Sequence, residues 1–411
     1  MTSLVERFLK YVSYDTQSME GAGVVPSSPG QMDLAKEAAR EMEELGMTDI
    51  SVDENAYVMG TLPGNVESVN IPAIGFIAHL DTATEISGAN VHPRIVKNYD
   101  GNDIPLDPEN MTFLSPEDFP ELRNYMGEDI IVTDGKTLLG ADDKAGIAII
   151  MTAVQYLVEH PELPHGPVKV CFTPDEEIGH QAALLDIVKF GADFAYTIDG
   201  GAVGDLNYIT FNAAKARLLI YGRNVHPGQA KNKMINSLLI GNEFISMLPC
   251  FETPSMTEGF EGFYHVLSFY GDVEKTEIDM IIRDHDYDIF LDRKEKVAEI
   301  AGILKEKYGS ALLELNIEDQ YFNMAQKIRD SMHIVDTAEK AMRETGVDPV
   351  IQPVRGGTDG SSLSERGLLT PNLFTGGHNF HGRFEYIPVS SMKKGVQLVV
   401  KILEMYSSGN S

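Results

Sequence analysis

The most informative part of this 411-residue chain is the stretch Ile74-Gly75-Phe76-Ile77-Ala78-His79-Leu80-Asp81. Its first five residues form a short apolar run, which is typical of a buried β-strand. Residues two apart in extended chain point to the same side, so Asp81 can hold one imidazole nitrogen of His79 and leave the other for a metal ion. Taken alone, such a pair is more often an ordinary polar strand end without any ligand.

Two later segments repeat this pattern of an apolar run followed by acidic residues. Residues 168–173 lead into the acidic triplet 175–177, and residues 194–198 lead into Asp199. A mostly apolar helix is predicted at 145–158, between the run 74–78 and the run 168–173. Strands separated by helices indicate a mostly parallel sheet that is covered on both faces. In such sheets, functional groups collect beyond the carboxyl ends of the strands.

Two further motifs complete the set of candidate groups. The predicted helix opens with Gly140-Ala141-Asp142-Asp143-Lys144-Ala145-Gly146, and a segment near the C-terminal end reads His378-Asn379-Phe380-His381-Gly382. Each motif alone has an ordinary explanation as a helix cap, a surface turn or a polar strand end. Together they supply histidines and carboxylates but no cysteine. That donor set suits a pair of zinc-like divalent ions, with cobalt or manganese as substitutes.

The chain is too long for one ordinary hydrophobic core, and the order of its predicted strands and helices changes in the middle of the sequence. Residues 214–320 alternate as β-α-β-β-α-β, which is the ferredoxin-like order. We therefore predict an α/β fold, in which a catalytic domain with a mostly parallel mixed sheet flanked by helices comprises residues 1–212 and 322–411. The ferredoxin-like domain, residues 213–321, is inserted between them. A helix start is also predicted, with Ser28 as N-cap, Pro29 at the first position and Gln31 at the third.

Composition excludes several classes of protein. The formal net charge is −29, which argues against nucleic acid or an anionic membrane surface as a partner. The two cysteines, Cys171 and Cys250, have no metal-type spacing, and Cys171 lies in a predicted buried strand. The N-terminal residues do not have the pattern of a signal peptide, so we expect a cytoplasmic protein. The polar segment 87–134 is long for a loop, and we expect a flap or hairpin at the rim of the site.

The motifs together resemble, in order and spacing, those of the co-catalytic zinc peptidases related to carboxypeptidase G and the aminoacylases. The resemblance covers essentially the whole chain, including the insert and the segment 87–134. It implies two Zn²⁺ ions per chain. Asp142 would bridge both ions, with the remaining ligands in two pairs: His79 and Asp199 on one ion, Glu177 and His381 on the other. His381 is preferred over His378 because Gly382 follows it as the family motif expects.

The resemblance also implies roles for residues around the metals. Asp81 would orient His79, and Glu176 would act as the general base that moves a proton from water to the leaving amine. His226, in the insert, would help to stabilise the tetrahedral oxyanion. Arg355 would pair with a carboxylate of the substrate, and Arg283 is a second candidate for the same work.

The members that the chain resembles most remove the N-terminal residue from tripeptides, by metal-activated water. A related hydrolase that acts on dipeptides, on C-terminal residues or on N-acyl amino acids stays open, because one sequence does not reveal the specificity pockets. A metal-free binding module is the remote alternative, although the base and all five ligands are present. The expected partner is a short peptide substrate, and the edge of an inserted sheet leaves a homodimer open.

Overall fold

The structure is a computed structural model that describes residues 2–66, 71–179 and 182–408. Its first elements are α1 (Leu4–Val12), α2 (Pro29–Glu44), β1 (Thr48–Val52), β2 (Val58–Leu62), β3 (Ile74–His79), β4 (Arg94–Val96), β5 (Ile104–Asp107), β6 (Thr112–Leu114), β7 (Ile130–Val132), α3 (Ala141–Glu159), β8 (Val168–Thr173), α4 (Ile187–Phe190), β9 (Phe194–Gly200) and β10 (Asp205–Asn207). There follow β11 (Asn212–Tyr221), α5 (Ser237–Met247), β12 (Phe263–Gly271), β13 (Lys275–Asp284), α6 (Tyr287–Tyr308), β14 (Leu313–Tyr321) and α7 (Ala325–Ile328). The last elements are α8 (His333–Glu344), β15 (Val350–Ile351), α9 (Asp359–Glu365), β16 (Asn372–Phe374), β17 (Tyr386–Pro388) and α10 (Val389–Ser407).

The chain divides into two structural units. The first comprises residues 1–208, 327–352 and 358–411, and the second comprises 209–326 and 353–357. The second unit begins earlier than the predicted insert, 213–321, and takes in a segment from further along the chain. Val354 belongs to it because its backbone N–H donates to the Ile209 carbonyl at 2.8 Å.

The first unit is built on a mixed sheet with the strand order β1-β2-β8-β3-β9-β16-β10-β15. Its four middle strands, β8, β3, β9 and β16, run parallel to one another, and the strands on either side of them, β2 and β10, are antiparallel to them. All six residues of β3 are buried, and α3 packs against β3 and β9. The predicted α/β class, with a mostly parallel central sheet flanked by helices, is confirmed. The carboxyl ends of β8, β3 and β9 therefore meet at one edge.

The second unit has an antiparallel sheet with the order β12-β13-β11-β14. This order and the helices α5 and α6 give the ferredoxin-like arrangement expected from the β-α-β-β-α-β pattern. Buried residues alternate along β13, which shows that the helices cover one face of the sheet.

The helix start predicted at Ser28 is correct in position and wrong in its capping. α2 begins at Pro29, but the Ser28 side chain makes no capping hydrogen bond. Gln31 Nε2 instead donates to Asp175 Oδ1 at 2.7 Å, and Gln31 Oε1 accepts the Asp175 backbone N–H at 3.1 Å. A buried carboxylate 144 residues away thus takes the side chain that a capping box would have used.

Residues 87–134 form more than the flap or hairpin expected. β7 pairs with β4 on one side and with β17 on the other in a three-stranded antiparallel sheet, and β5 and β6 form a hairpin. A hydrophobic cluster fills this part of the first unit, with Tyr99, Leu114 and Tyr386 among its buried members. Residues 87–134 are therefore a small packed lobe. Its strand β7 pairs with β17, which follows His381 in the sequence.

Both cysteines are free thiols, and Cys171 is buried in β8 as predicted, whereas Cys250 is exposed. Within the described part of the chain, no helix is both long enough and apolar enough to cross a bilayer. The cytoplasmic location inferred from the sequence stays a prediction.

Candidate active site

Three neighbouring strands bring most of the candidate ligands to one edge of the sheet. β3 lies between β8 and β9, and its last residue, His79, pairs with Thr173 at the end of β8. Asp199 lies near the end of β9. Glu177 follows β8 in a short 3-10 turn, Glu176–Ile178. The order of the strands therefore explains why residues distant in sequence meet here.

Asp142 lies between two histidines. Its Oδ1 atom is 2.9 Å from His79 Nε2, and its Oδ2 atom is 3.3 Å from His381 Nε2. Asp142 lies at the start of α3, where its backbone angles are not helical. A carboxylate whose two oxygens face two different imidazoles has the geometry of a bridging ligand.

The hydrogen bonds of His79 determine which nitrogen is available to a metal. Its Nδ1 atom lies 3.1 Å from the carbonyl oxygen of Asp81, which can only accept, so Nδ1 carries the ring proton. Its Nε2 atom faces Asp142 and lies 3.4 Å from Asp199 Oδ1. Nε2 is thus the nitrogen that faces the two carboxylates, and a metal ion bound between them would take the place of a proton on this nitrogen.

The second histidine has the same arrangement. His381 Nδ1 lies 3.1 Å from Glu85 Oε1, and its Nε2 atom lies 3.0 Å from Glu177 Oε2. His378 is elsewhere: its Nε2 atom lies 2.7 Å from the Tyr125 hydroxyl, and its ring stacks on Tyr386. The structure brings His381, and not His378, to the carboxylates.

The spacing of these atoms fits a metal pair. Two ligands at about 2.0–2.1 Å from a tetrahedral zinc ion are on the order of 3.3 Å apart. The four contacts of the two Nε2 atoms with carboxylate oxygens are 2.9, 3.4, 3.3 and 3.0 Å. Glu177 Oε1 is buried and has no hydrogen-bond partner among the described residues, although an orphaned carboxylate oxygen is costly to bury. A divalent cation would satisfy it.

The electrostatics of the cluster also favour bound cations. Burial raises the pKa of Asp199 to about 6 and that of Glu177 to about 7, and in each case the charge on Asp142 adds to the effect. Hydrogen bonds to Asp142 and Glu177 raise the pKa of His381 to about 12. Clustered carboxylates raise one another's pKa values and those of the histidines beside them. A bound cation would supply the positive charge that favours ionised carboxylates and neutral imidazoles.

Asp143 competes with Asp142 as a ligand on proximity alone, since one oxygen of Asp143 groups with His79 and Asp199 within 4.8 Å. The hydrogen bonds of Asp143 argue against a role as metal ligand. Asp143 Oδ2 accepts the His79 backbone N–H at 3.1 Å, and Oδ1 accepts the Gly146 N–H at 3.1 Å. Asp143 is therefore occupied in holding the backbone of the site, and Asp142 is the candidate ligand.

Asp81 makes more contacts than the single one expected with His79. Its Oδ1 atom accepts the backbone N–H of Glu176, and its Oδ2 atom accepts that of Glu177, both at 3.0 Å. Ser18 Oγ donates to the same carboxylate at 2.5 Å. Asp81 thus ties the turn that carries both glutamates to the end of β3.

Glu176 differs from its neighbour Glu177. Among the described residues, no side-chain hydrogen bond reaches its carboxylate, and it makes no ion pair with either histidine. Burial and the charge of Asp199 raise the pKa of Glu176 well above its usual range. An uncommitted carboxylate of raised pKa beside a metal site has the properties of a general base.

Several contributing residues were missed in the sequence. Asp175 accepts hydrogen bonds from the Ser27 backbone N–H and from Gln31, and so anchors the turn of Glu176 to the N-terminal segment. Glu85 contacts His381, and Asp359 accepts a hydrogen bond from Thr173 at 2.6 Å. Asp175 belongs to the acidic triplet 175–177, but no local pattern distinguishes a structural carboxylate from a ligand.

The remaining candidates belong to the second unit. His226 is exposed, and its Nδ1 atom accepts the Gly228 backbone N–H at 3.1 Å, which leaves Nε2–H as a donor. Arg283 is half-buried, and its guanidinium donates to Gln320 Oε1 at 3.0 Å and lies over the Tyr321 ring. No carboxylate among the described residues forms an ion pair with Arg283.

Arg355 is more fully occupied than Arg283. Its Nη1 atom donates to the carbonyl oxygens of Gly259, at 3.0 Å, and Glu261, at 2.7 Å. Its Nη2 atom donates to Thr257 Oγ1 at 2.8 Å. The guanidinium therefore holds the segment 257–261 in place, a role that the sequence did not suggest.

Comparison with known proteins finds a family model and relatives that match most of this chain. Residues 133–405 match the model of Peptidase family M20/M25/M40. Peptidase T of Clostridium novyi (strain NT) is 56% identical over 407 residues, which is 99% of this chain and 100% of that protein.

Two solved structures are similar over nearly the whole chain. Aminopeptidase PepT from Bacillus cereus ATCC 10987 gives a TM-score of 0.77 at 24% identity, over 98% of both chains. A tripeptidase from Staphylococcus aureus subsp. aureus Mu50 gives 0.76 at 22% identity, again over 98% of both chains. At these identities the likeness shows a shared fold.

Proposed function

The chain belongs to the peptidase family M20/M25/M40, and we propose that it is a two-metal aminopeptidase that releases the N-terminal residue of tripeptides. The substrate class is supported by 56% identity to a Peptidase T along almost the entire chain. The two ions are proposed to be zinc, with cobalt or manganese as substitutes, because the ligands are imidazoles and carboxylates.

One observation carries the proposal of a metal pair. Asp142 directs one oxygen at His79 and the other at His381. Asp199 lies beside the first histidine, and Glu177 lies beside the second. The five residues thus separate into two ligand sets that share one carboxylate, which is the pairing implied by the sequence resemblance.

Two divalent cations held there would lower the pKa of a shared water and polarise the scissile carbonyl. Glu176 then takes a proton from the attacking water on its carboxylate and later delivers it to the leaving amine. Asp81 keeps that carboxylate in place through the Glu176 backbone N–H. For His226, the exposed Nε2–H supports the proposed part of an oxyanion donor, a contribution on the order of 2–4 kcal/mol.

We propose Arg283, rather than Arg355, as the partner of the substrate carboxylate. A half-buried guanidinium that has no carboxylate beside it among the described residues favours an incoming anion. Burial lowers the pKa of Arg283, as expected for a guanidinium that has no carboxylate beside it among the described residues. Arg355 already uses three donors on the segment 257–261.

The two arginines can be separated with a tripeptide and its C-terminal amide. Arg283→Ala is expected to raise the KM of the free tripeptide roughly 10–100-fold, because a hydrogen bond to a charged group contributes about 1.5–3 kcal/mol. The amide lacks that carboxylate, so its KM should change little. Arg355→Ala should mainly lower the unfolding temperature. A KM rise confined to the free tripeptide in Arg355→Ala, with Arg283→Ala unchanged, would return the role to Arg355.

The substrate class is tested with peptides of one composition on metal-replete protein: a di-, a tri- and a tetrapeptide, plus the N-acetylated tripeptide. We expect rapid release of the N-terminal residue from the free tripeptide and at least about 10-fold slower release from the others, since a misplaced terminal charge loses more than about 1.4 kcal/mol. Amino acid release is followed by chromatography.

Equal or faster cleavage of the acetylated peptide would contradict the aminopeptidase assignment. It would keep the metal site but favour the acylase or carboxypeptidase reactions of related enzymes. Preferred cleavage of the dipeptide would contradict only the length preference.

A further inference from the structure

A buried glutamate, Glu385, holds the backbone that carries Asp142. Its carboxylate is 1% exposed and accepts four consecutive backbone N–H groups. Oε2 accepts from Leu139 at 2.6 Å and Gly140 at 3.0 Å, and Oε1 accepts from Ala141 at 2.7 Å and Asp142 at 3.2 Å. A bidentate carboxylate in such a cradle forms strong, charge-assisted hydrogen bonds.

The backbone is shaped for this anion. Gly140 has φ +83°, a left-handed conformation that side chains rarely adopt, and it lets the N–H groups on either side converge. Successive N–H groups arranged in this way form a concave anion-binding site. Glu385 fills it from a segment 243 residues away, as measured from Asp142.

Glu385 lies on the same loop as His381. The ends of that loop are tied together, since His378 and Tyr386 exchange backbone hydrogen bonds at 2.9 and 3.1 Å. Tyr386 is in turn paired with Val132 in the small lobe. One carboxylate therefore joins the loop of His381 to the helix start of Asp142, whose Oδ2 faces His381.

An ordinary helix cap would bind fewer backbone N–H groups than Glu385 does. A cap satisfies one or two of the free N–H groups at a helix start, and a serine or aspartate of the same segment suffices. Here the four N–H groups belong to the residues that lead into Asp142, and Asp142 itself is one of the donors. The backbone of Asp142 is therefore joined directly to the loop that carries His381.

We propose that Glu385 is a positioning residue for the metal pair, which sets the place of the Asp142 carboxylate relative to His381. The inference rests on the proposed metal centre. Residues that orient metal ligands typically contribute 10–100-fold to metal affinity, so a similar effect is expected here.

The test compares Glu385→Gln with Glu41→Gln. Glu385→Gln keeps the size of the side chain but places an amide NH₂ against backbone N–H groups. Glu41 is the matched control, since it is a buried carboxylate that accepts from Arg7 Nε at 2.7 Å and from the Tyr11 hydroxyl, and contacts no candidate ligand. Both variants should lower the unfolding temperature of the metal-free protein, which is the effect of a lost structural contact.

Only Glu385→Gln should change the metal centre. Its affinity for at least one of two Co²⁺ ions, measured by chelator competition, should fall roughly 10–100-fold. The visible absorption of the Co²⁺-saturated protein should differ from wild type, whereas Glu41→Gln should match wild type in both. Two ions with unchanged affinity and spectrum in Glu385→Gln would overturn the proposal and leave the proposed function intact.

Two further measurements cover the remaining outcomes. If Glu385→Gln does not fold, Glu385→Asp keeps the charge and should show an intermediate loss of affinity. Metal-free wild-type protein should also exchange the amide hydrogens of 139–142 slowly, and rapid exchange there would overturn the proposal without any variant. Wild-type protein that binds no divalent metal would overturn the proposed function, and this inference with it.

Discussion

The Glu176→Ala variant is expected to lose turnover by roughly 10²–10⁴-fold while it keeps both metal ions. Glu176 makes no ion pair with His79 or His381 among the described residues, so its removal leaves the proposed ligand sets intact. What is lost is the carboxylate that moves the proton. Turnover of a tripeptide and metal content by elemental analysis are measured on the same preparation.

Glu177→Ala is the matched control, because the two glutamates are adjacent and both follow β8 in one turn. Glu177 Oε2 contacts His381 and its other oxygen has no hydrogen-bond partner within the described ranges, so this variant should lose metal as well as activity. Retained turnover in Glu176→Ala would contradict its assignment as the base. Loss of metal in that variant would instead place Glu176 among the ligands.

The Asp142→Ala variant is expected to lose both metal ions and, with them, essentially all activity. Each ion would lose a ligand at once, since one oxygen of Asp142 faces each histidine. Binding of metal to folded protein stabilises it by mass action, so the rise in unfolding temperature on adding Zn²⁺ should also disappear. Isothermal titration with Zn²⁺ and thermal unfolding with and without metal measure both effects.

Asp199→Ala provides the comparison for Asp142→Ala. Asp199 Oδ1 contacts only one of the two histidines, His79. This variant should therefore weaken one site and keep the other, with about half of the metal bound. Wild-type stoichiometry and affinity in Asp142→Ala would show that Asp142 is not a bridging ligand.

The order of elements could be predicted from the sequence because it depends on local properties. An apolar run of five or six residues, such as 74–78, is buried in almost any α/β sheet, and the helix of 145–158 has no polar face to expose. Parallel strands also have their carboxyl ends on one edge, so the motifs that follow them are expected at that edge, and the strand order decides which of them are neighbours. Fold class and the neighbourhood of the candidate ligands followed from these rules.

The assignment of individual groups needed the tertiary structure. Asp142 and Asp143 are adjacent acids in the sequence, and only hydrogen bonds to His79 and Gly146 show that Asp143 is committed to the backbone. His378 and His381 differ in their partners in space, a tyrosine pair for one and carboxylates for the other.

The same limit applied to supporting residues. Gln31 was expected to help cap its own helix, but Asp175, just after β8, binds its side chain instead. Glu385 carried no signal at all, because an acidic residue after a histidine motif is common and its four donors lie more than 240 residues away.

What the sequence by itself determined is the set of strands, the helix between them and the edge at which the chemistry collects, because side-chain hydrophobicity and chain direction act over a few residues. What only the tertiary structure decided is which acid faces the two histidines, which one holds backbone and which arginine has no carboxylate partner among the described residues. Those roles depend on hydrogen bonds between segments far apart in the chain, and burial makes each unpaired group costly enough to select one partner.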